Sequence, residues 1–169
     1  VFQSSFKNKN MNYRLKLMLG LYGTSQIIYT QIFKRHKKAW GISKLELTLY
    51  PEGTLGKVLG EFYVAHGFEV MPKLENHDVF HLITETGTEI QDEIAMQYLL
   101  FGNGKLSLYM FSMIGIGTIM YPEFLAYYLR HFRKGKSMPS FHQKDFSELL
   151  DTSLVYLKAS IHSGNYLFI

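Results

Sequence analysis

His77 and His81 stand four residues apart in the stretch Asn76-His77-Asp78-Val79-Phe80-His81. On a helix that spacing puts both imidazoles on one face, one turn and roughly 6 Å apart. Asp78 sits about 100° round the helix from His77. It can serve as a third ligand or as an acceptor for a ring N–H. Neutral imidazole suits zinc, iron, copper or nickel, and a carboxylate completes an N/O donor set. Three glutamates spaced by four, Glu85, Glu89 and Glu93, lie on either side of a break at Thr86-Gly87-Thr88. A turn there lets a second helix carry a carboxylate such as Glu93 back toward the histidines. Periodicity does not choose among the three, and Glu85 and Glu89 can equally be caps or solvent charges. A bare H-x-x-x-H is more often two ordinary histidines on a half-buried helix. The adjacent Asp and the offset Glu bring the metal reading level with that one.

Helices must position these groups, and the composition allows them. The chain has 169 residues, which fits one domain, and is 47% hydrophobic, enough for a core. It has no cysteine, which excludes thiolate metal sites, disulfides and cysteine nucleophiles. The formal charge of +4 allows an anionic ligand or an anionic membrane surface. Thirteen Phe, 12 Tyr and eight Met suit an oily ligand pocket, a membrane contact or a Tyr/Phe-rich core. There is no repeat, G-x-G-x-x-G, Walker loop, nucleophile elbow or zinc-finger spacing. No nucleic-acid partner is expected.

Taken in order, residues 1–10 read as a flexible lead-in and 11–169 as a single helical domain. A first helix is expected from Asn12 to about Arg35, closing on Lys34-Arg35-His36-Lys37-Lys38. Trp40 to Tyr50, with Leu45, Leu47 and Leu49 alternating, reads as an extended connection. Thr54 caps a helix that Gly67 closes, with Leu55, Leu59, Phe62, Tyr63 and Phe68 as its apolar face. Gly56 and Gly60 there permit close packing. Glu75 to Ile83 is the histidine helix. Thr88 with Gln91 reads as the capping box of the next, which ends at Gly102-Asn103-Gly104. The uncharged run Leu106 to Pro122 is shorter than the roughly twenty residues of a membrane span. A buried central helix is expected there, with the wall of a lipid groove as the alternative. Pro122 opens a helix ending near Gly135, where Arg130, Arg133 and Lys134 suit helix-end solvation or an anionic headgroup. A last helix runs from Asp145 or Ser147 to about Ile161. No alternation supports a full sheet, so the fold class is all-α, one domain of about six or seven packed helices.

Two of these stretches resemble a known family. Leu49-Tyr50-Pro51-Glu52-Gly53-Thr54-Leu55-Gly56 is similar to the P-x-G-T-L-G signature of the coenzyme Q (ubiquinone) biosynthesis family founded by the fourth Coq protein. His77-Asp78-x-x-His81 followed by Glu93 is similar to its H-D-x-x-H-x(11)-E metal motif at full spacing. The resemblance covers roughly residues 45 to 161. It selects Glu93 over Glu85 and Glu89. Leu100 stands where relatives carry a further Glu, and Gly104-Lys105-Leu106-Ser107 replaces their Gly-Leu-Pro.

The resemblance implies an all-helical fold with His77, Asp78, His81 and Glu93 as the metal group. The implied metal is divalent, zinc first, with iron, manganese or magnesium as alternatives. It also implies an isoprenoid or quinone-like lipid as ligand, other quinone-biosynthesis enzymes as partners, and peripheral attachment to a membrane surface. In a bacterium that means the cytoplasm or its membrane; in a eukaryote, the matrix side of the mitochondrial inner membrane. A homodimer is compatible with this. Two functions follow: a metal enzyme that decarboxylates or hydroxylates a prenylated aromatic acid, and a non-catalytic lipid-binding scaffold with a structural metal. A metal-dependent phosphohydrolase is a third reading. It needs further ligands, for which His66, His142 and His162 are available.

Overall fold

The computed structural model describes Tyr13, Arg14, Lys16, Gly20 and residues 38–163. Those first four residues are helical. The rest of the helix expected from Asn12 to Arg35, the lead-in over 1–10 and the tail Gly164–Ile169 lie outside the described residues. Over residues 38–163 there are seven α-helices and no sheet. They are α1 (Lys44–Thr48), α2 (Leu55–His66), α3 (Glu75–Thr84), α4 (Ile90–Gly102), α5 (Leu108–Met120), α6 (Leu125–Ser137) and α7 (Leu154–Ser163). Single turns at Pro122–Phe124 and Ser147–Leu149 precede α6 and α7. The fold is all-α, consistent with a single domain. Its backbone contacts group it into two compact units, and the division falls inside α3, between Leu82 and Ile83.

The first unit holds the described residues up to Leu82 together with Asp145–Leu154. Its first helix corrects the extended connection expected over Trp40–Tyr50. The Glu46 carboxylate accepts from Ser43 N at 2.7 Å, and Glu46 N donates to Ser43 Oγ at 3.2 Å. This reciprocal box outweighs a three-leucine alternation. Leu47 is buried, and Leu45 and Leu49 are exposed. A Cβ on Gly60 would meet Thr48 N at 2.8 Å, so α1 and α2 meet backbone to backbone at that glycine. Thr54 Oγ1 accepts from Lys57 N at 3.3 Å, and Gly67 closes α2 in the left-handed region at φ 63°. Orphan donors at the start of α2 are satisfied from the distant segment. Leu55 N donates to Thr152 O and Gly56 N to Leu150 O, each at 2.8 Å.

The second unit holds Ile83–Lys144 and the described residues from Val155 on. Helix α4 starts one residue later than Thr88 suggests. Glu89 is its cap residue, and the Asp92 carboxylate accepts from Glu89 N at 3.2 Å. Helices α4 and α6 cross on two glycines. A Cβ on Gly135 would strike the Leu99 carbonyl, and one on Gly102 would strike that of Phe132. Just past α4, the buried Asn103 side chain closes the chain beyond α6. Its Nδ2 donates to Pro139 O at 2.9 Å, and its Oδ1 accepts from Phe141 N at 2.9 Å and His142 N at 3.2 Å.

Helix α5 is not the buried central helix expected. Met110, Met113 and Gly117 are buried, whereas Leu108 is 75% and Ile119 81% exposed. The sequence is apolar all round, so hydrophobicity carries no facing signal. One stripe packs, with a Cβ on Gly117 meeting Ile94 at 2.6 Å, while Gly115 faces open space. No single helix among the described residues is long and apolar enough to cross a membrane. Helix α5 and Pro122–Ser137 pass that test only together, bent by 104°.

The glycines divide into two kinds by this geometry. Gly135→Ala is expected to lose about 3 kcal/mol in urea denaturation, because its Cβ meets a backbone carbonyl that cannot rotate away. Gly115→Ala, whose Cβ meets nothing within 4 Å, is expected to gain about 0.5–1 kcal/mol. Equal effects at the two positions would contradict the crossing described.

Candidate metal centre

Helix α3 puts His77 and His81 on one face, as their spacing requires. The two Nε2 atoms are 3.3 Å apart, and the rings meet edge to face at 88°. A tetrahedral zinc with Zn–N of about 2.0–2.1 Å holds two nitrogens roughly 3.3–3.4 Å apart. The pair is therefore spaced as two zinc ligands are. His81 is 3% exposed and His77 half-buried. The Phe62 ring on α2 stacks on the His81 imidazole at 18° and 6.3 Å, restricting its rotation.

Ligand atoms of His77, His81 and Glu93 all lie within 4.8 Å of one another, so the three could hold a metal ion. Two imidazoles and a carboxylate are a donor set for zinc or another borderline divalent ion. Glu93, on the first turn of α4, is 2% exposed. Burial of a carboxylate to that degree demands a cation or donors around it. The other two glutamates are exposed. Glu85, at φ 55° just past α3, accepts from Lys158 Nζ at 2.8 Å, which holds its carboxyl below the usual range. Glu89 caps α4.

Asp78 stands outside that three-residue group. It is fully buried, and its Oδ2 accepts from the Tyr63 hydroxyl at 2.8 Å. Its Oδ1 is buried with no hydrogen-bond partner. Burial pushes the carboxyl pKa up, against the lowering influence of His77, the Tyr63 hydrogen bond and His81. The Tyr63–Asp78 bond ties α3 to α2. No local sequence signal foretells it, because the partners are fifteen residues apart. The same helix is anchored twice more. The Asn76 Oδ1 accepts from Phe146 N at 3.0 Å, and the Glu75 Oε1 from Trp40 N at 3.1 Å.

Among the described residues, His66, His131, His142 and His162 do not join the group. His66 is exposed on α2, His162 is exposed on α7, and His142 Nδ1 lies 3.0 Å from the Asn103 carbonyl. The phosphohydrolase reading therefore lacks its extra ligands among the described residues. Lys134 is also committed. Its ammonium donates to Thr84 O, the last carbonyl of α3, at 2.6 Å, and burial pushes its pKa down. Arg130 and Arg133 remain exposed.

No family model matches this sequence, and no curated protein matches it. A solved structure is similar. It is a crystal structure of a protein described as a ubiquinone biosynthesis protein, from Nostoc punctiforme PCC 73102. The TM-score is 0.61 at 17% identity, over 89% of this chain and 82% of that one. This chain shares the fold of that protein. At that identity the likeness establishes the fold alone.

The geometry generates one direct expectation. Wild-type protein should carry a divalent metal near one equivalent by elemental mass spectrometry, and the His77→Ala, His81→Ala double variant almost none. Equal loading of the two would remove the site.

Proposed function

We propose that this chain is a ubiquinone-biosynthesis-type protein, of the family founded by the fourth Coq protein. In this reading it uses a divalent metal to act on a prenylated aromatic acid. The observation that carries it is the cluster of His77, His81 and Glu93 on a ubiquinone-biosynthesis-like fold. The early P-x-G-T-L-G stretch is consistent with it. Thr54 of the P-x-G-T-L-G stretch caps α2, and Gly56 packs on the Tyr50 ring.

A bound metal would supply Lewis-acid polarisation and a template for the ring carboxylate and a neighbouring phenolic oxygen. Zinc has no redox chemistry, so an oxidative step would need iron, manganese or an external oxidant. His77, His81 and Glu93 are three protein donors. Three protein donors are the number catalytic sites use, with substrate or water in the fourth position, whereas closed structural sites use four. Asp78 and Tyr63 act behind the ligands, holding α3 in register with α2.

The exposed apolar face of α5 supports the lipid side of this reading. Leu108, Phe111, Ile116 and Ile119 lie on it, and Leu125 and Leu129 are exposed on α6. Exposed Arg130 and Arg133 follow on α6. An apolar face with neighbouring cations suits an anionic lipid surface or an isoprenoid tail. A second reading rests on this surface alone: a non-catalytic lipid-binding scaffold for quinone-biosynthesis enzymes, with a structural metal.

Two measurements test the proposal. Metal-loaded protein incubated with a prenylated hydroxybenzoate should release carbon dioxide with zinc, manganese or iron present. Binding without release in all three favours the scaffold. Sedimentation with vesicles of phosphatidylcholine and phosphatidylglycerol should recover the wild type, and Ile119→Glu should weaken recovery about tenfold. Unchanged recovery would remove α5 as the lipid-facing element.

A further inference from the structure

Helix α4 buries two polar side chains on one stripe. Glu93 and Gln97 are four residues apart, so they share a face about one turn and roughly 6 Å apart. Each is 2% exposed. Their companions on the helix, Ile90, Ile94, Ala95, Met96, Leu99 and Leu100, are apolar and buried. Gln97 Oε1 is buried and has no hydrogen-bond partner. An amide oxygen kept from water in this way is destabilising unless something donates to it. A core position with no other task would be filled better by Met or Leu, which match its volume without the polar atom.

The neighbour one turn away decides what the donor is. Glu93 is the carboxylate of the metal group. A group bound to the ion held there brings O–H bonds to the same stretch of α4. We infer that Gln97 is a positioning residue whose Oε1 accepts a hydrogen bond from an O–H donor held at the metal site, either a metal-bound water or the phenolic hydroxyl of a bound hydroxybenzoate. The amide is neutral, so it orients that donor without altering the charge of the site. This inference rests on the metal reading above.

The test uses full-length protein loaded with Co(II), whose visible bands report its coordination. Wild type and Gln97→Met are compared in cobalt content, visible spectrum, thermal stability, and affinity for para-hydroxybenzoate and for benzoate. The expected result is equal cobalt content, thermal stability unchanged or raised, and a loss at the site. With a phenolic donor, para-hydroxybenzoate binds roughly tenfold more weakly to the variant while benzoate is unaffected. With a water donor, the spectrum of the variant differs before any probe is added. A purely structural Gln97 moves neither. Equal cobalt loading, superimposable spectra and unchanged affinities would overturn the inference and leave the metal reading standing. Wild type that takes up no cobalt overturns both. Gln97→Ala answers the same question where the Met variant fails to fold.

Discussion

Two imidazole nitrogens 3.3 Å apart on consecutive turns of α3 cannot both present lone pairs to each other. Either one carries a proton toward the other, or a cation stands against both. A buried carboxylate at the same place, as Glu93 is, gives such a cation a third donor. The anchors of α3 fix where this pair stands. Tyr63 holds Asp78, Asn76 holds the backbone of Phe146, and Glu75 holds that of Trp40. At the far end Lys134 takes the Thr84 carbonyl. A helix anchored along its length cannot turn its histidine face elsewhere without breaking these bonds, each of them at least partly buried.

Each of these anchors joins residues far apart in sequence, and that separates what was legible from what was not. The i, i+4 histidines were legible because one helix turn fixes their relation. The caps of α2, Thr54 and Gly67, were legible for the same reason, as was the all-α class. Leu45, Leu47 and Leu49 misled, since alternation over so few residues does not distinguish a strand from one turn of helix. The Ser43 and Glu46 box decided that stretch. Thr88 and Gln91 offered a capping box, but Glu89 and Asp92 offered a competing one a residue later. The fate of α5 was hidden by its uniform composition. A helix apolar on every side does not say which stripe is covered. Asn103 carried no signal, because its partners lie some thirty-five residues on.

The three glutamates show how local chemistry and tertiary structure share the decision. Periodicity left Glu85, Glu89 and Glu93 equivalent. The turn consumes Glu85 as a left-handed residue bonded to Lys158, and the start of α4 consumes Glu89. Only Glu93 is carried inward. Asp78, adjacent to His77 in sequence, is about 100° away round the helix, and its carboxylate is bound to Tyr63. Neighbours along the chain are thus separated by helical geometry, while Glu93, twelve residues beyond His81, is brought in.

X-ray absorption fine structure at the metal edge of zinc-loaded protein reads the donor set of this site directly. A first shell with two histidine nitrogens at about 2.0–2.1 Å, their outer-ring scattering resolved, and oxygen completing the set is expected. A shell of oxygen alone, or a single imidazole, would contradict it.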